Sequence, residues 1–235
     1  MSNIANPADD KSISYRFRAR RDLFLKDFLL RARQGSATGA GAVCRIADLG
    51  GGAAYWQRVG HDWLAEHRFA VDCFNLEPSE LSRDAAAASP VRLFQGDACD
   101  MADHADDSYG IVHSNSVIEH VGRWPHMRAF AREVRRLAPS YYVQTPYFWS
   151  PVDPHFFRVP MIHWLPVSLR AKIHRRIGAG WAPRARDIDA AMAQADSNFM
   201  LDRSQFRALF PDGDFRFERV FGLPKSMIAA RLARR

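Results

Sequence analysis

The stretch Ile46-Ala47-Asp48-Leu49-Gly50-Gly51-Gly52 constrains the fold of this chain more than any other part of it. Val43 to Leu49 is apolar enough for a buried strand, the three glycines make a tight turn, and Tyr55 to His67 follows as a helix. Glycine permits backbone angles that a Cβ forbids, and it leaves main-chain groups bare beside a close-lying ligand. The alternation then continues. Phe69 to Leu76 reads as a second strand, Glu80 to Ala88 as a short helix, and Val91 to Gln95 as a third strand. Tyr109 to Ser114 reads as a fourth strand, Trp124 to Ala138 as an amphipathic helix, and Tyr141 to Thr145 as a fifth strand. Such alternation predicts an α/β fold, a parallel sheet with helices on both faces. Two last β-like runs, Phe215 to Phe221 and Ser226 to Ala230, are joined through Gly222-Leu223-Pro224. So short a link suits an antiparallel hairpin, giving a mostly parallel seven-stranded sheet in all.

Around this core the chain divides into four stretches. Residues 1–42 form an N-terminal segment with a helix from Tyr15 to Arg33, on which Phe17, Phe24, Phe28 and Leu29 fall near helical spacing. Residues 43–146 form the nucleotide-binding core, 147–187 an insertion, and 188–235 the rest of the core with a helix near Arg203 to Phe210. The insertion holds five prolines and three tryptophans between Tyr147 and Asp187 and reads as a helical lid over the sheet edge. From His155 to Arg186 it carries Arg158, Arg170, Lys172, Arg175, Arg176, Arg184 and Arg186 with no acid, a large part of the net charge of +7. Such a patch suits nucleic acid, an anionic membrane surface or an acidic small substrate, and equally a solvated face. No apolar run approaches the roughly 20 residues that span a bilayer, and Met1 to Lys11 has no apolar signal core, so the expected location is cytoplasmic. Cys44, Cys73 and Cys99 lack paired spacing and read as free thiols.

Two acids follow the glycine turn at successive strand ends. Glu77 closes the second strand, where a carboxylate can accept both hydroxyl hydrogens of a ribose. Asp97 follows the third strand, where it can accept from an adenine amino group. Each alone also suits a turn or a cap. A nicotinamide dinucleotide fits less well, because its Gly-x-Gly-x-x-Gly signature needs a third glycine where Tyr55 stands.

Taken together, these residues resemble the class I S-adenosylmethionine-dependent methyltransferases, over about Val43 to Thr145 plus the terminal hairpin. The resemblance implies a Rossmann-like sheet and S-adenosyl-L-methionine as cofactor. Asp48, Gly50, Gly51 and Gly52 correspond to the motif that holds its methionine part, Glu77 to the ribose-binding acid, and Asp97 with Ala98 to the adenine-binding pair. Ser114-Asn115-Ser116-Val117-Ile118-Glu119-His120-Val121 resembles the segment after strand four in small-molecule methyltransferases, which adds Ser114 and Asn115 to the cofactor set. In the resembling quinone-pathway and RNA-terminal enzymes, a Glu-His pair binds Mg²⁺ with a further glutamate three residues earlier. Here that residue is Ser116, whose hydroxyl cannot replace a carboxylate toward a hard cation, so no metal is expected.

For the acceptor, the candidate catalytic residues are Glu119 and His120 after strand four, with Asp153 and His155 in the insertion. Histidine titrates near neutral pH and can take a proton from a hydroxyl, which also brings His163 into view. Glu119 and His120 suit equally a hydrogen-bonding role inside the fold. The expected acceptor is a small molecule or saccharide methylated at oxygen, in natural-product or polysaccharide biosynthesis. The alternatives are an RNA methyltransferase and a cofactor-binding partner protein without turnover. Against the RNA reading, the chain has no Asn-Pro-Pro-Tyr motif and no added RNA-binding module.

Overall fold

The computed structural model describes residues 13–35, 41–77 and 89–233. Seven strands form one sheet: β1 (Cys44–Leu49), β2 (Phe69–Asn75), β3 (Val91–Gln95), β4 (Ile111–Asn115), β5 (Ser140–Pro146), β6 (Asp214–Val220) and β7 (Leu223–Arg231). Their order is β3-β2-β1-β4-β5-β7-β6. The first five pair in parallel, while β7 pairs antiparallel with both β5 and β6. The strand order reverses between β1 and β4, the place where an open α/β sheet leaves a crevice at its carboxyl edge.

Two apolar layers sandwich the sheet. On one face lies α1 (Ile13–Gly35), which buries Leu25, Phe28, Leu29 and Ala32 against Cys44, Ile46, Val71 and Tyr142, together with α2 (Ala53–Val59) and α3 (His61–Glu66). On the other lie α4 (Trp124–Leu137) and α7 (Arg203–Leu209), which bury Phe130, Val134 and Leu137 beside Phe206 and Leu209. The buried stripe of α1 therefore runs through residues 25, 28, 29 and 32, a one-face spacing, with Phe24 only partly buried beside Tyr142. Arg21 fastens α1 to the hairpin by pairing both oxygens of Glu218, at 2.9 and 2.7 Å.

The structure departs from the sequence expectation in the helix after the glycine turn and at the hairpin. The single helix expected from Tyr55 to His67 is two helices, because Gly60 at φ +111° ends one and opens the next. The hairpin turn is Phe221-Gly222, not Gly222-Leu223-Pro224; both residues have positive φ (50° and 81°), as a two-residue type I′ connection requires. Pro224 instead sits inside β7, beyond the last residue paired to β5, where its missing N–H breaks no inner ladder. The excursion over the sheet edge closes where Tyr147 meets Leu201, and it contains two helices, α5 (Val167–Arg176) and α6 (Ile188–Ala195). These pack on each other through Ala171, Ala185, Ala191 and Ala195, so α6 belongs with the excursion. Small alanines give no strong periodic signal, so the sequence alone does not group α6 with α5. The helix expected over Glu80 to Ala88 lies outside the described residues. Among the described residues no helix is long and apolar enough to cross a membrane.

Candidate active site

The carboxyl ends of β1 to β4 open into a cleft of about 350 Å³. Gly50, Glu77, Asp97, Ala98, Ser116 and His120 line it, with Phe74, Leu76 and Val117 as apolar walls. A larger depression of about 690 Å³ lies over α4, but its lining comes from α4 and α7 alone and offers chiefly arginines. The cleft at the strand ends is the one that the sheet topology makes.

The glycine turn is built by three different constraints. Gly50 has φ +76°, and a Cβ there would lie 2.5 Å from the Val117 methyls. At Gly51 a Cβ would fall 1.5 Å from the Asp48 carboxylate, while at Gly52 it would meet no protein atom within 4 Å. Protein packing thus explains the first two glycines and leaves the third to something outside the fold. Asp48 itself does not reach the cleft. It is buried beneath the turn, where its oxygens accept from Trp56 Nε1 at 2.5 Å and His113 Nδ1 at 2.7 Å. The signal for this was present in the order Asp48-x-x-Gly51, but only three dimensions show the carboxylate turned inward.

Glu77 and Asp97 are exposed at the cleft rim, and Asp97 also uses one oxygen to accept from the Cys99 N–H at 2.8 Å. Both the turn role and the rim position therefore hold for Asp97. Ser114 and Asn115 do not line the cleft. The Ser114 hydroxyl is buried and donates to the Leu49 carbonyl at 2.8 Å, and Asn115 Oδ1 accepts from Arg21 at 3.0 Å. Strand alternation and the tie to α1 direct them away, and Ser116, at φ 57°, is the residue that turns into the cleft.

Beside the cleft, Glu119, His120 and His155 come together although 35 residues separate the histidines, and their ligand atoms all lie within 4.8 Å of one another. Asp153 is fully buried and accepts from His155 Nδ1 at 2.7 Å, from the His155 backbone N–H at 2.8 Å, and from Asn198 at 3.2 Å. It touches no cleft surface and acts by positioning His155. Burial alone would raise the Asp153 carboxyl, but its bond to His155 holds it below the ordinary range. Burial opposes the charged form of His155, yet Asp153 and then Glu119 push its pKa upward. Burial raises Glu119 in turn, against the opposing pull of His120 and His155. Asn198 was not singled out in the sequence and carries no local signal there. His163, by contrast, is buried with Nε2 2.8 Å from the Phe148 carbonyl, which makes it a brace of the excursion.

Residues 47–140 match the model of a methyltransferase domain. Over those residues the chain carries a methyltransferase domain of the class I S-adenosylmethionine-dependent kind. No curated protein matches it in sequence. Among solved structures it is similar to the YcgJ protein of Bacillus subtilis, at 13% identity and TM-score 0.51 over 92% of this chain and 99% of that one. It is similar also to the CMeT domain of the citrinin polyketide synthase, at 10% identity and TM-score 0.57 over 92% and 52%. A third is phosphoethanolamine N-methyltransferase 2 of Haemonchus contortus in complex with S-adenosyl-L-methionine, at 14% and 0.50 over 85% and 38%. The methyltransferase thus spans about half or less of the length of the latter two, and at these identities the likeness is one of fold. Its cofactor is S-adenosyl-L-methionine. The cleft fits that group: the glycine turn enters it at Gly50, Glu77 and Asp97 stand on its rim, and Phe74, Leu76 and Val117 give it apolar walls.

Proposed function

We propose that this methyltransferase acts on a hydroxyl of a small molecule or saccharide held between the strand ends and the excursion. In this reading Gly50 and Gly52 face the methionine part of the cofactor, Glu77 accepts from the ribose hydroxyls, and Asp97 with Ala98 meets the adenine. The cofactor supplies a methyl group made electrophilic by a sulfonium. The chain's own part is to bring the acceptor oxygen into line and to take its proton. His120 has the position for that: its ring is exposed at the cleft, and its Nδ1 is 2.9 Å from the Ser197 carbonyl. A carbonyl can only accept, so Nδ1 carries the hydrogen and Nε2 the lone pair, and the His120 ring must swing from its 2.9 Å contact with His155 Nε2 to present that lone pair to an acceptor.

The observation that carries the small-acceptor reading is Arg170. In sequence it belongs to the basic run, yet it turns inward, 8% exposed, into a groove of about 490 Å³ between α4 and the excursion. Trp124, Phe148, Phe199 and Asn198 line the same groove, and Asn198 bonds to the His155–Asp153 pair. An inward arginine among aromatics suits one enclosed anionic or hydroxyl-rich molecule better than a nucleic-acid backbone, which needs many outward cations.

Two measurements test this. Calorimetry with S-adenosylhomocysteine is expected to give micromolar affinity, about −7 to −9 kcal/mol. Glu77→Ala is expected to weaken it by about 1.5–3 kcal/mol, the worth of charge-assisted hydrogen bonds. Unchanged affinity would take Glu77 out of the cofactor site.

The second measurement titrates total cellular RNA at two ionic strengths into wild type and into Lys172→Ala/Arg175→Ala/Arg176→Ala, which strips exposed charges and keeps Arg170. Weak binding with little dependence on the variant is expected. Submicromolar binding at physiological salt that falls steeply as salt rises, about −0.7 in log–log slope per phosphate of a single strand, and is lost in the variant would make RNA the acceptor.

A further inference from the structure

The two histidines beside the cleft present a problem of hydrogen bookkeeping. His155 Nδ1 lies 2.7 Å from an Asp153 oxygen, and His120 Nδ1 lies 2.9 Å from the Ser197 carbonyl. Asn198 Nδ2 also lies 2.8 Å from His155 Nδ1, but it has Asp153 Oδ2 to donate to at 3.2 Å, whereas the carboxylate and the carbonyl can only accept; each ring therefore carries its hydrogen on Nδ1 and a lone pair on Nε2. Yet the two Nε2 atoms face each other at 2.9 Å. Two lone pairs so close repel unless something electropositive lies in front of both. Glu119 points a third lone-pair atom to the same place: Oε1 is 3.9 Å from His155 Nε2, fully buried, and without a hydrogen-bond partner. Its other oxygen is satisfied by the Thr145 hydroxyl at 2.9 Å.

We propose that Glu119, His120 and His155 form a binding site for a divalent transition-metal ion of the zinc class. Neighbouring ligand atoms around an ion at bonds of about 2.0–2.2 Å lie roughly 3.0–3.5 Å apart. The histidine pair is already near that spacing, and Glu119 needs a small side-chain shift to join it. Every ligand has an outer partner that orients it: Asp153 for His155, the Ser197 carbonyl for His120, Thr145 for Glu119. Such outer shells hold metal-binding rings in one tautomer and raise their basicity. The donor set also chooses the metal. Two imidazoles with one carboxylate favour zinc, cobalt or iron over a hard, oxygen-seeking cation.

The expectation of no metal weighed only a hard cation, for which Ser116 is an inadequate ligand. Here the Ser116 hydroxyl is occupied elsewhere, 3.0 Å from Gln144 Oε1. The missing ligand comes from the excursion, as His155. Because His120 lines the cleft, an ion held by this set would lie beside it. With an ion bound, His120 gives its lone pair to the metal, and lowering the pKa of the acceptor hydroxyl falls to the ion. That role rests on the proposed function; the binding itself does not.

The test is direct. Full-length protein stripped with a chelator is titrated with Co²⁺, following its visible absorption, and with Zn²⁺ by calorimetry. One ion per chain is expected with micromolar or tighter affinity, and millimolar Mg²⁺ should not compete. His155→Ala should weaken binding by on the order of 100-fold or more, and Asp153→Asn, which touches no ion, by about 10- to 100-fold. His120→Ala alters a surface-exposed ring, so it carries the test if far-UV circular dichroism shows His155→Ala unfolded. Absence of a Co²⁺ spectrum and of binding heat would overturn the proposal and leave the pair bridged by a proton. Binding that survives both histidine variants would overturn it as well. Loss of S-adenosylhomocysteine binding in the wild type would strike the proposed function and leave the metal result standing.

Discussion

Gly51→Ala is expected to cripple the protein, whereas Gly52→Ala, one residue on, is expected to leave its stability almost untouched. At position 51 the new methyl would lie 1.5 Å from Asp48 Oδ2, an oxygen that already accepts from Trp56. The carboxylate cannot yield without losing a buried partner, so the cost should be about 3 kcal/mol or more, beyond ordinary overpacking. In a chain of this size that lowers the melting temperature by roughly 6–12 °C. At position 52 the φ of −143° suits any residue, and the added Cβ meets no protein atom within 4 Å. Stability should move by no more than about 0.5 kcal/mol, as for an open surface site. Affinity for S-adenosylhomocysteine should nevertheless drop about tenfold, because the methyl stands where the ligand must lie. Thermal unfolding and calorimetry on both variants decide it. A stable Gly51→Ala would mean that the turn adapts freely, and a Gly52→Ala with full affinity would move the cofactor away from that glycine.

The second large effect is expected at Asp48. Its carboxylate is 1% exposed and satisfies two buried donors, Trp56 Nε1 and His113 Nδ1, with the Cys73 thiol 3.7 Å away. His113 in turn packs among Tyr55, Trp56 and Tyr142, whose ring centroids lie 5.0–5.8 Å away. Asp48→Ala orphans both donors in the core and should cost about 3–5 kcal/mol. It also removes the oxygen that forbids a Cβ at position 51. The double variant Asp48→Ala/Gly51→Ala should therefore be more stable than the sum of the single losses, by on the order of 1–3 kcal/mol of coupling. Strict additivity in denaturant unfolding would show that Asp48 is not what requires glycine there.

Much of this architecture was legible in the chain alone. The five parallel strands announce themselves as apolar runs at regular spacing, and the acids Glu77 and Asp97 stand at consecutive strand ends, where local order dictates position. Glu119 and His120 were legible for the same reason, since they follow β4 directly. What hid was every feature that depends on a side chain's direction. Asp48, Ser114 and Asn115 all sit in or at the end of a strand near the ligand edge, and the structure turns each away, the first two toward buried partners and Asn115 toward Arg21 of α1.

The strand positions, the glycine turn and the acids at the strand ends were thus determined by local sequence, because continuous apolar runs, buried on both faces of the sheet, and backbone permission act within a few residues. Only the tertiary structure decided which polar groups share a site. Asp153, His155 and Asn198 reach Glu119 and His120 because the excursion folds back to Leu201, and the inward turn of Arg170 depends on α5 packing against α6. Such contacts join residues tens of positions apart, and no local propensity encodes them: they exist only once burial of the two alanine-lined helices has made the excursion close.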